Sequence, residues 1–312
     1  MARLTSPFPD HHTSCPDALA NLPVALLLGI FDGDGTISFA RRANGAVQPK
    51  VTVASRDDDA TPFAFALGLT HARGAPLGWL RRRAELRRNE WVVDDPAEVL
   101  EFATWLTAAQ PLAPRTLSVL GPVVQAASIL VGADGVPSPD ATHELARMAG
   151  PARHLARNAA PLPAPSSLTA ASDDRLGWEL AGLLSSDGYL ALRNRAARFA
   201  PVASISQRTD NEVLLKLLRE RLGLGDLVVQ GRQVSLRITR HEDLRRLIAL
   251  LRTHPIPPAA PRRRQFEIWA GAVALRGTRP SRDPEIVAVC DALRRAKRYA
   301  GPRLLCSCQA PG

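Results

Sequence analysis

The stretch LLLGIFDGDGTISF, residues 26–39, changes character twice. An apolar run of helical type ends in Asp32 and Asp34, which alternate with Gly33 and Gly35. A strand-like alternation follows at once, with Ile37 and Phe39 on one side and Thr36 and Ser38 on the other. A carboxylate at the negative end of a helix is unfavourable by a few tenths to about 1 kcal/mol unless a cation offsets it. The pattern returns in ELAGLLSSDGYLAL, residues 179–192. Here Ser185 stands in place of the first acid, and Asp187, the acid before the last glycine, is kept.

The small residues explain how two such helix ends can work together. Gly29 and Gly33 are four residues apart and share a helix face, and Gly182 and Ser186 hold the same spacing. Faces of this kind let two helix backbones approach closely, for a steric reason that is not confined to membranes. Packed on each other, the helices bring Asp34 and Asp187 side by side, together with two negative helix ends. That cluster requires cations, and oxygen donors of this type suit Mg²⁺, with Mn²⁺ as substitute. Metal between carboxylates and a phosphate activates water and stabilises a leaving oxygen. Two plainer readings compete. Asp and Gly also dominate turns. A calcium loop fails on its register, because the first and twelfth ligand positions would be Ile30 and Arg41.

Composition agrees with a polyanionic partner. The 312 residues carry a net charge of +10, with a pI near 10.5, and 46% are hydrophobic, enough for a sizeable core. Lysine occurs only at Lys50, Lys216 and Lys297, so the charge is almost all arginine. Cys15, Cys290, Cys306 and Cys308 form no paired C-x-x-C set, which argues against zinc. The opening MARLTSPFPDHHTS lacks the apolar core of a signal peptide, and no apolar run reaches the length of a membrane span. The expectation is a cytoplasmic protein associated with a bacterial nucleoid, an organellar setting being left open.

Four segments are expected: a first half over 1–131, an Ala/Pro/Ser-rich linker over 132–172, a second half over 173–276 and a basic tail over 277–312. Within the linker one short helix is expected near 141–149, and the tail is expected to be partly unstructured. The first half reads as helix 17–33, strands near 36–42 and 47–55, helix 57–69, strands near 76–83 and 87–93, and helices 96–109 and 115–131. The second half repeats that order from residue 173. Hairpins separated by helices predict an α+β fold with antiparallel sheets.

LLGIFDGDG and LAGLLSSDG, about 150 residues apart, resemble the two motifs of a monomeric LAGLIDADG homing endonuclease. The resemblance extends over residues 17–131 and 173–276. It implies two αββαββα units related by a pseudo-twofold axis, with the motif helices at their interface. It also implies saddle-shaped antiparallel sheets in the DNA major groove and metal-dependent cleavage of both strands. The metal-binding acids of the family fall on Asp34 and Asp187, joined by the carbonyls of Gly33 and Ser186. A water-ordering glutamine falls on Gln207, whereas the first copy offers only Ser55. Basic residues near the scissile phosphates fall on Arg115 and on one of Arg262 to Arg264, with Arg263 preferred.

Counting in twos from each acid places Thr36, Ser38 and Arg42, then Tyr189, Arg193 and Arg195, on the faces turned to DNA. Gln230, Arg232, Gln233, Ser235 and Arg237 join them from the last hairpin. Arg and Gln are suited to reading base edges. The implied protein is a site-specific double-strand DNA endonuclease that acts as a monomer on a long asymmetric site, without a protein partner. The alternative is a catalytically silent DNA or RNA binder of the same fold, such as an intron-splicing maturase.

Overall fold

The structure, a computed structural model, describes residues 21–41, 47–56, 59–132, 139–157, 161–195, 198–257, 261–275 and 283–298. Its first half runs α1 (Val24–Asp34), β1 (Gly35–Arg41), β2 (Val47–Arg56), α2 (Thr61–Arg73), β3 (Trp79–Arg83), β4 (Arg88–Val93), α3 (Pro96–Ala109), α4 (Pro114–Gly132) and α5 (Pro139–Arg157). A single-turn helix, α6 (Ser166–Thr169), leads into the second half. That half runs α7 (Asp173–Ser186), β5 (Gly188–Arg195), β6 (Arg198–Arg208), α8 (Glu212–Leu222), β7 (Asp226–Gln230), β8 (Gln233–Ile238), α9 (His241–Thr253), α10 (Pro261–Leu275) and α11 (Pro284–Arg298). The sheets are ordered β1-β2-β4-β3 and β5-β6-β8-β7, antiparallel throughout. The fold is α+β, with the same order of elements twice.

Local chemistry sets several boundaries. Asp95 caps α3 by accepting from the backbone N–H groups of Ala97 (2.9 Å) and Glu98 (3.2 Å), ahead of a proline at the first helical position. Ser172 caps α7 by accepting from Arg175 N at 3.2 Å. Gly231, at φ 58°, supplies the left-handed residue of the β7–β8 turn.

The motif helices α1 and α7 lie against each other at the centre. A Cβ added to Gly182 would stand 2.7 Å from both Gly29 Cα and Ile30 N, and one added to Gly33 would stand 2.7 Å from Ser186 Cβ. The expected small-residue interface is therefore present. Each helix also covers its own sheet, so Leu26, Leu27, Leu28, Ile30 and Phe31 are all buried. This accounts for an apolar run without a polar stripe. Under the first sheet Phe31 packs on Phe65 and Phe102, with ring centroids 6.0 and 5.2 Å apart, and Phe65 meets Trp91 at 5.0 Å. Under the second sheet Leu184, Ile205, Leu214, Leu236 and Leu247 are buried, and α10 adds the buried aromatics Phe266 and Trp269, with ring centroids 6.5 Å apart.

Two segments depart from expectation. The linker contains α5, a 19-residue helix whose Leu145, Met148 and Ala149 pack with Val47, Ala126 and Leu130 in a satellite core. The tail contains α11, which buries Cys290, Leu293 and Ala296 and packs against α10. The two helices are equivalents. Each opens on proline, and the sixth and ninth residues after it, Leu145 and Met148 or Cys290 and Leu293, are buried. Gly150–Pro151 and the run of arginines hid this periodicity in the sequence.

A third correction concerns α4, which by length and composition is apolar enough to cross a membrane, with mean hydropathy 1.3. Its apolar residues have uses inside the fold. Leu120, Val123 and Ala127 belong to the main core, while Ala126 and Leu130 join the satellite core.

Candidate functional site

Asp34 is the last residue of α1, and Asp187 directly follows α7. Both are half-buried, and they face each other closely enough to interact. Burial first, then the charges of Asp187 and Asp59, push the Asp34 carboxyl up to about 8, against Arg262 and Arg88. Burial pushes Asp187 up to about 7, against Arg262, Arg115 and a hydrogen bond from Gln207. Two carboxylates that resist ionisation beside two negative helix ends make a site that favours a cation. The donor set fits a hard divalent ion: two carboxylates, with the carbonyls of Gly33 and Ser186 in the last helical turns. Among the described residues no three His, Cys, Asp or Glu side chains converge, so water or phosphate would complete the coordination.

The surroundings differ between the halves. Gln207 donates from Nε2 to Asp187 Oδ2 at 2.6 Å and accepts from Asn211 Nδ2 at 3.0 Å. Asn211 Oδ1 in turn accepts from the backbone N–H of Arg115 at 3.1 Å. Strand register places Val53 opposite Gly35 and Ile205 opposite Gly188, so Ser55 corresponds to Gln207 and Asp59 to Asn211. Ser55 is too short to reach the acid and donates to the Asp59 carbonyl at 3.2 Å. Asp59 was missed in the sequence, as was Asn211.

The arginines cross between halves. Arg115, at the start of α4, lies beside Asp210 (3.9 Å) and Asp187 of the second half. Arg262, at the start of α10, faces Asp59 and Asp34 of the first half as well as Asp187, and burial holds its guanidinium below the usual value. Arg263, the residue preferred in the sequence, pairs with Glu267 one turn along its own helix, at 3.0 Å, while the charge that acts on Asp34 and Asp187 is that of Arg262. The signal for Arg262 was in the sequence, because Pro114–Arg115 and Pro261–Arg262 open equivalent helices.

Beneath the site lies a buried acidic pair. Asp32 accepts from Thr116 Oγ1 (2.7 Å) and Ala113 N (3.2 Å), tying α1 to the start of α4. Glu179, fully buried on α7, faces Asp32 and finds no donor among the described residues other than a proton shared between the two carboxyls. Burial raises Asp32 to about 6, against hydrogen bonds with Thr116, Glu179 and Ala113, while burial and then the charge of Asp32 raise Glu179 well above its ordinary value. Arg175 offsets part of this charge and donates to the carbonyls of Ala109, at 2.9 Å, and Gln110.

Solved structures share this architecture. I-SmaMI, bound to an uncleaved DNA target in the presence of calcium ions, superimposes with a TM-score of 0.69 at 15% identity over 88% of this chain and 99% of its own. The LAGLIDADG meganuclease I-AabMI, bound to uncleaved DNA, gives 0.67 at 14% identity, over 90% of this chain and 99% of its own. The LAGLIDADG homing endonuclease I-GzeII, in complex with its DNA target, gives 0.68 at 11% identity, over 88% and 98%. The fold is that of the LAGLIDADG homing endonucleases. No family model and no curated protein matches the sequence.

In this LAGLIDADG fold the core sides of the sheets carry Ile37, Val51, Val53 and Trp91, or Leu190, Ala203, Ile205 and Leu236, all buried except the half-buried Ile37. The opposite, outer faces carry most of the residues singled out from the sequence. Thr36, Thr52, Val92 and Trp79 form one cross-strand row, and Tyr189, Ser204, Arg237 and Asp226 form its counterpart. Ser38 lies opposite Lys50, and Arg193 opposite Ala200. Ser235 bonds Ser206 at 2.8 Å on the same face, and Gln233 lies between Gln230 and Arg208. Arg195 occupies the end of β5, and Arg232 sits in the hairpin turn rather than on a row. Arg42 lies outside the described residues. Lys50, Arg56, Arg81, Arg83 and Arg88 share the outer face of the first sheet by parity and were missed, since only β1 was counted in twos there.

Proposed function

We propose that this protein is a metal-dependent, site-specific endonuclease that cuts both strands of double-stranded DNA. The observation that carries this reading is the meeting of Asp34 and Asp187 at the ends of two helices in glycine contact. Asp34, Asp187 and the carbonyls of Gly33 and Ser186 hold Mg²⁺, or Mn²⁺ in its place. The bound metal supplies an activated water and charge stabilisation for the departing oxygen of a phosphodiester.

The remaining residues position and neutralise. Gln207, fixed by Asn211, orders water beside Asp187. Arg115 and Arg262 offset negative charge at the phosphates, one on each side of the acids. The outer faces, with Thr36, Ser38, Tyr189, Arg193, Arg195, Gln230, Gln233, Ser235 and Arg237, follow the major groove, which admits a two-stranded β-ribbon. The net charge of +10 favours this partner. The neighbours in complex with DNA support the same assignment. Because both motif copies are in one chain, a monomer supplies both acids and reads an asymmetric site.

The test is cleavage of a randomised DNA library with Mg²⁺, followed by sequencing of the cut ends. Enrichment of one asymmetric site with both strands cut is the expected result. Specific binding without cutting in Mg²⁺ or Mn²⁺ would instead establish a silent binder or a maturase.

A further inference from the structure

The outer rows nearest the acids differ in chemistry between the halves. In the first sheet Arg56, Arg88 and Arg83 stand directly opposite one another on β2, β4 and β3. The equivalent row in the second sheet is Arg208, Gln233 and Gln230. These rows adjoin the site: Arg88 acts on the Asp34 carboxyl, and Arg56 lies beside Arg262. The bases they face are therefore the innermost of each half-site.

Like charges directly opposite across strands are destabilising. A row with arginine on three adjoining strands is a poor choice for stability and a good one for an electron-rich partner. Arg81 of that sheet is committed within the protein: it holds the buried Glu90 at 2.6 Å and lies over the Trp79 ring at 5.2 Å. Arg83 pairs with Glu85 at 2.8 Å, but both side chains are well exposed, so a competing ligand can take the guanidinium.

Arginine matches guanine O6 and N7 with two hydrogen bonds, and glutamine matches adenine N6 and N7 in the same way. We infer that the two halves read different bases at equivalent inner positions: guanine through Arg83 and Arg88 in the first half, adenine through Gln230 and Gln233 in the second. This rests on the proposed DNA recognition and names its target more closely. The contrast between rows is carried by paired positions in one fold and does not depend on the overall charge.

The experiment is binding selection on a randomised duplex library in Ca²⁺. It uses the full chain and two reciprocal variants, Arg83→Gln with Arg88→Gln, and Gln230→Arg with Gln233→Arg. Wild type should select guanine at the inner positions of one half-site and adenine at those of the other. The first variant should turn that half-site's guanines to adenines, with a loss of at least tenfold on the parental site. The second should turn the other half-site's adenines to guanines. The single variant Arg83→Gln, at an exposed position, should change one base preference without lowering the Tm. Unchanged base preferences, or an equal loss on every sequence as phosphate contacts would give, overturns the inference while leaving DNA recognition intact. A wild type that selects no sequence overturns both.

Discussion

The two halves bring the same carboxylate to the same place and support it differently. Asp187 is held by an amide relay through Gln207 and Asn211, whereas the equivalents beside Asp34 are Ser55 and a further acid, Asp59. Arg262 from the other half faces Asp59 and Asp34 and offsets the extra charge. The packing below differs as well: Phe31, Phe65, Phe102 and Trp91 cluster under the first sheet, whereas the buried aromatics Phe266 and Trp269 of the second half both come from α10. A pseudo-symmetric fold thus preserves what the helix ends must do and lets each half meet the electrostatic demand with its own side chains.

Breaking the shared element should have the largest effect. Gly182→Leu forces a side chain into the backbone of α1, with a cost of roughly 3 kcal/mol or more. Thermal melting should show a fall of many degrees, and a melt like that of the parent would contradict the interface. The crossed arginines come next. Arg115→Ala and Arg262→Ala should each lower cleavage about 10²- to 10³-fold, as loss of a charge-stabilising donor does elsewhere. Arg263→Ala, paired with Glu267, should cut like wild type, so single-turnover rates for the three variants separate the two positions.

A smaller effect should sharpen the contrast between halves. Gln207→Ala should slow one strand about 10- to 100-fold, because it loosens one site only. Nicked plasmid should then accumulate, whereas Ser55→Ala should change neither strand. Equal slowing of both strands by Gln207→Ala would mean that the relay serves the whole site. The buried pair gives the smallest effect over a single pH unit. Folding raises Glu179, so the folded state keeps a proton that the unfolded chain releases above about 4.5. Stability is therefore lost as pH rises above that value, by up to about 1.4 kcal/mol per unit. Glu179→Gln removes this loss, and its melting temperature should gain on wild type between pH 5 and 7 on the order of a few degrees. Parallel pH profiles for the two proteins would show that no proton is held there.

Much of this was legible in the sequence because the pattern occurs twice. Asp34 and Asp187 stand out as the acid kept in both copies, and the small-residue spacing gives the interface on which they meet. The strands follow from alternation, which is a local property. The residues that escaped notice depend on distant partners. Glu179 sits inside an apolar motif, and only Asp32, across the helix pair, explains it. Asp59 and Asn211 lie where strands give way to helices, without a local motif. Arg262 was among the three arginines named, and aligning the openings of α4 and α10 is what singles it out. The helices α5 and α11 were obscured because Pro, Gly and Arg outweigh a short apolar stripe in composition.

The central claim is that the two helix-end carboxylates together form a metal-dependent cutting site. It is tested most directly on a plasmid carrying the selected site, by following nicked and linear forms in Mg²⁺ for wild type, Asp34→Asn and Asp187→Asn. Wild type should linearise the plasmid. Each Asn variant should still bind the site and yet give no linear product. Linear product from either variant at the wild-type rate would contradict the account and leave the paired aspartates a structural feature.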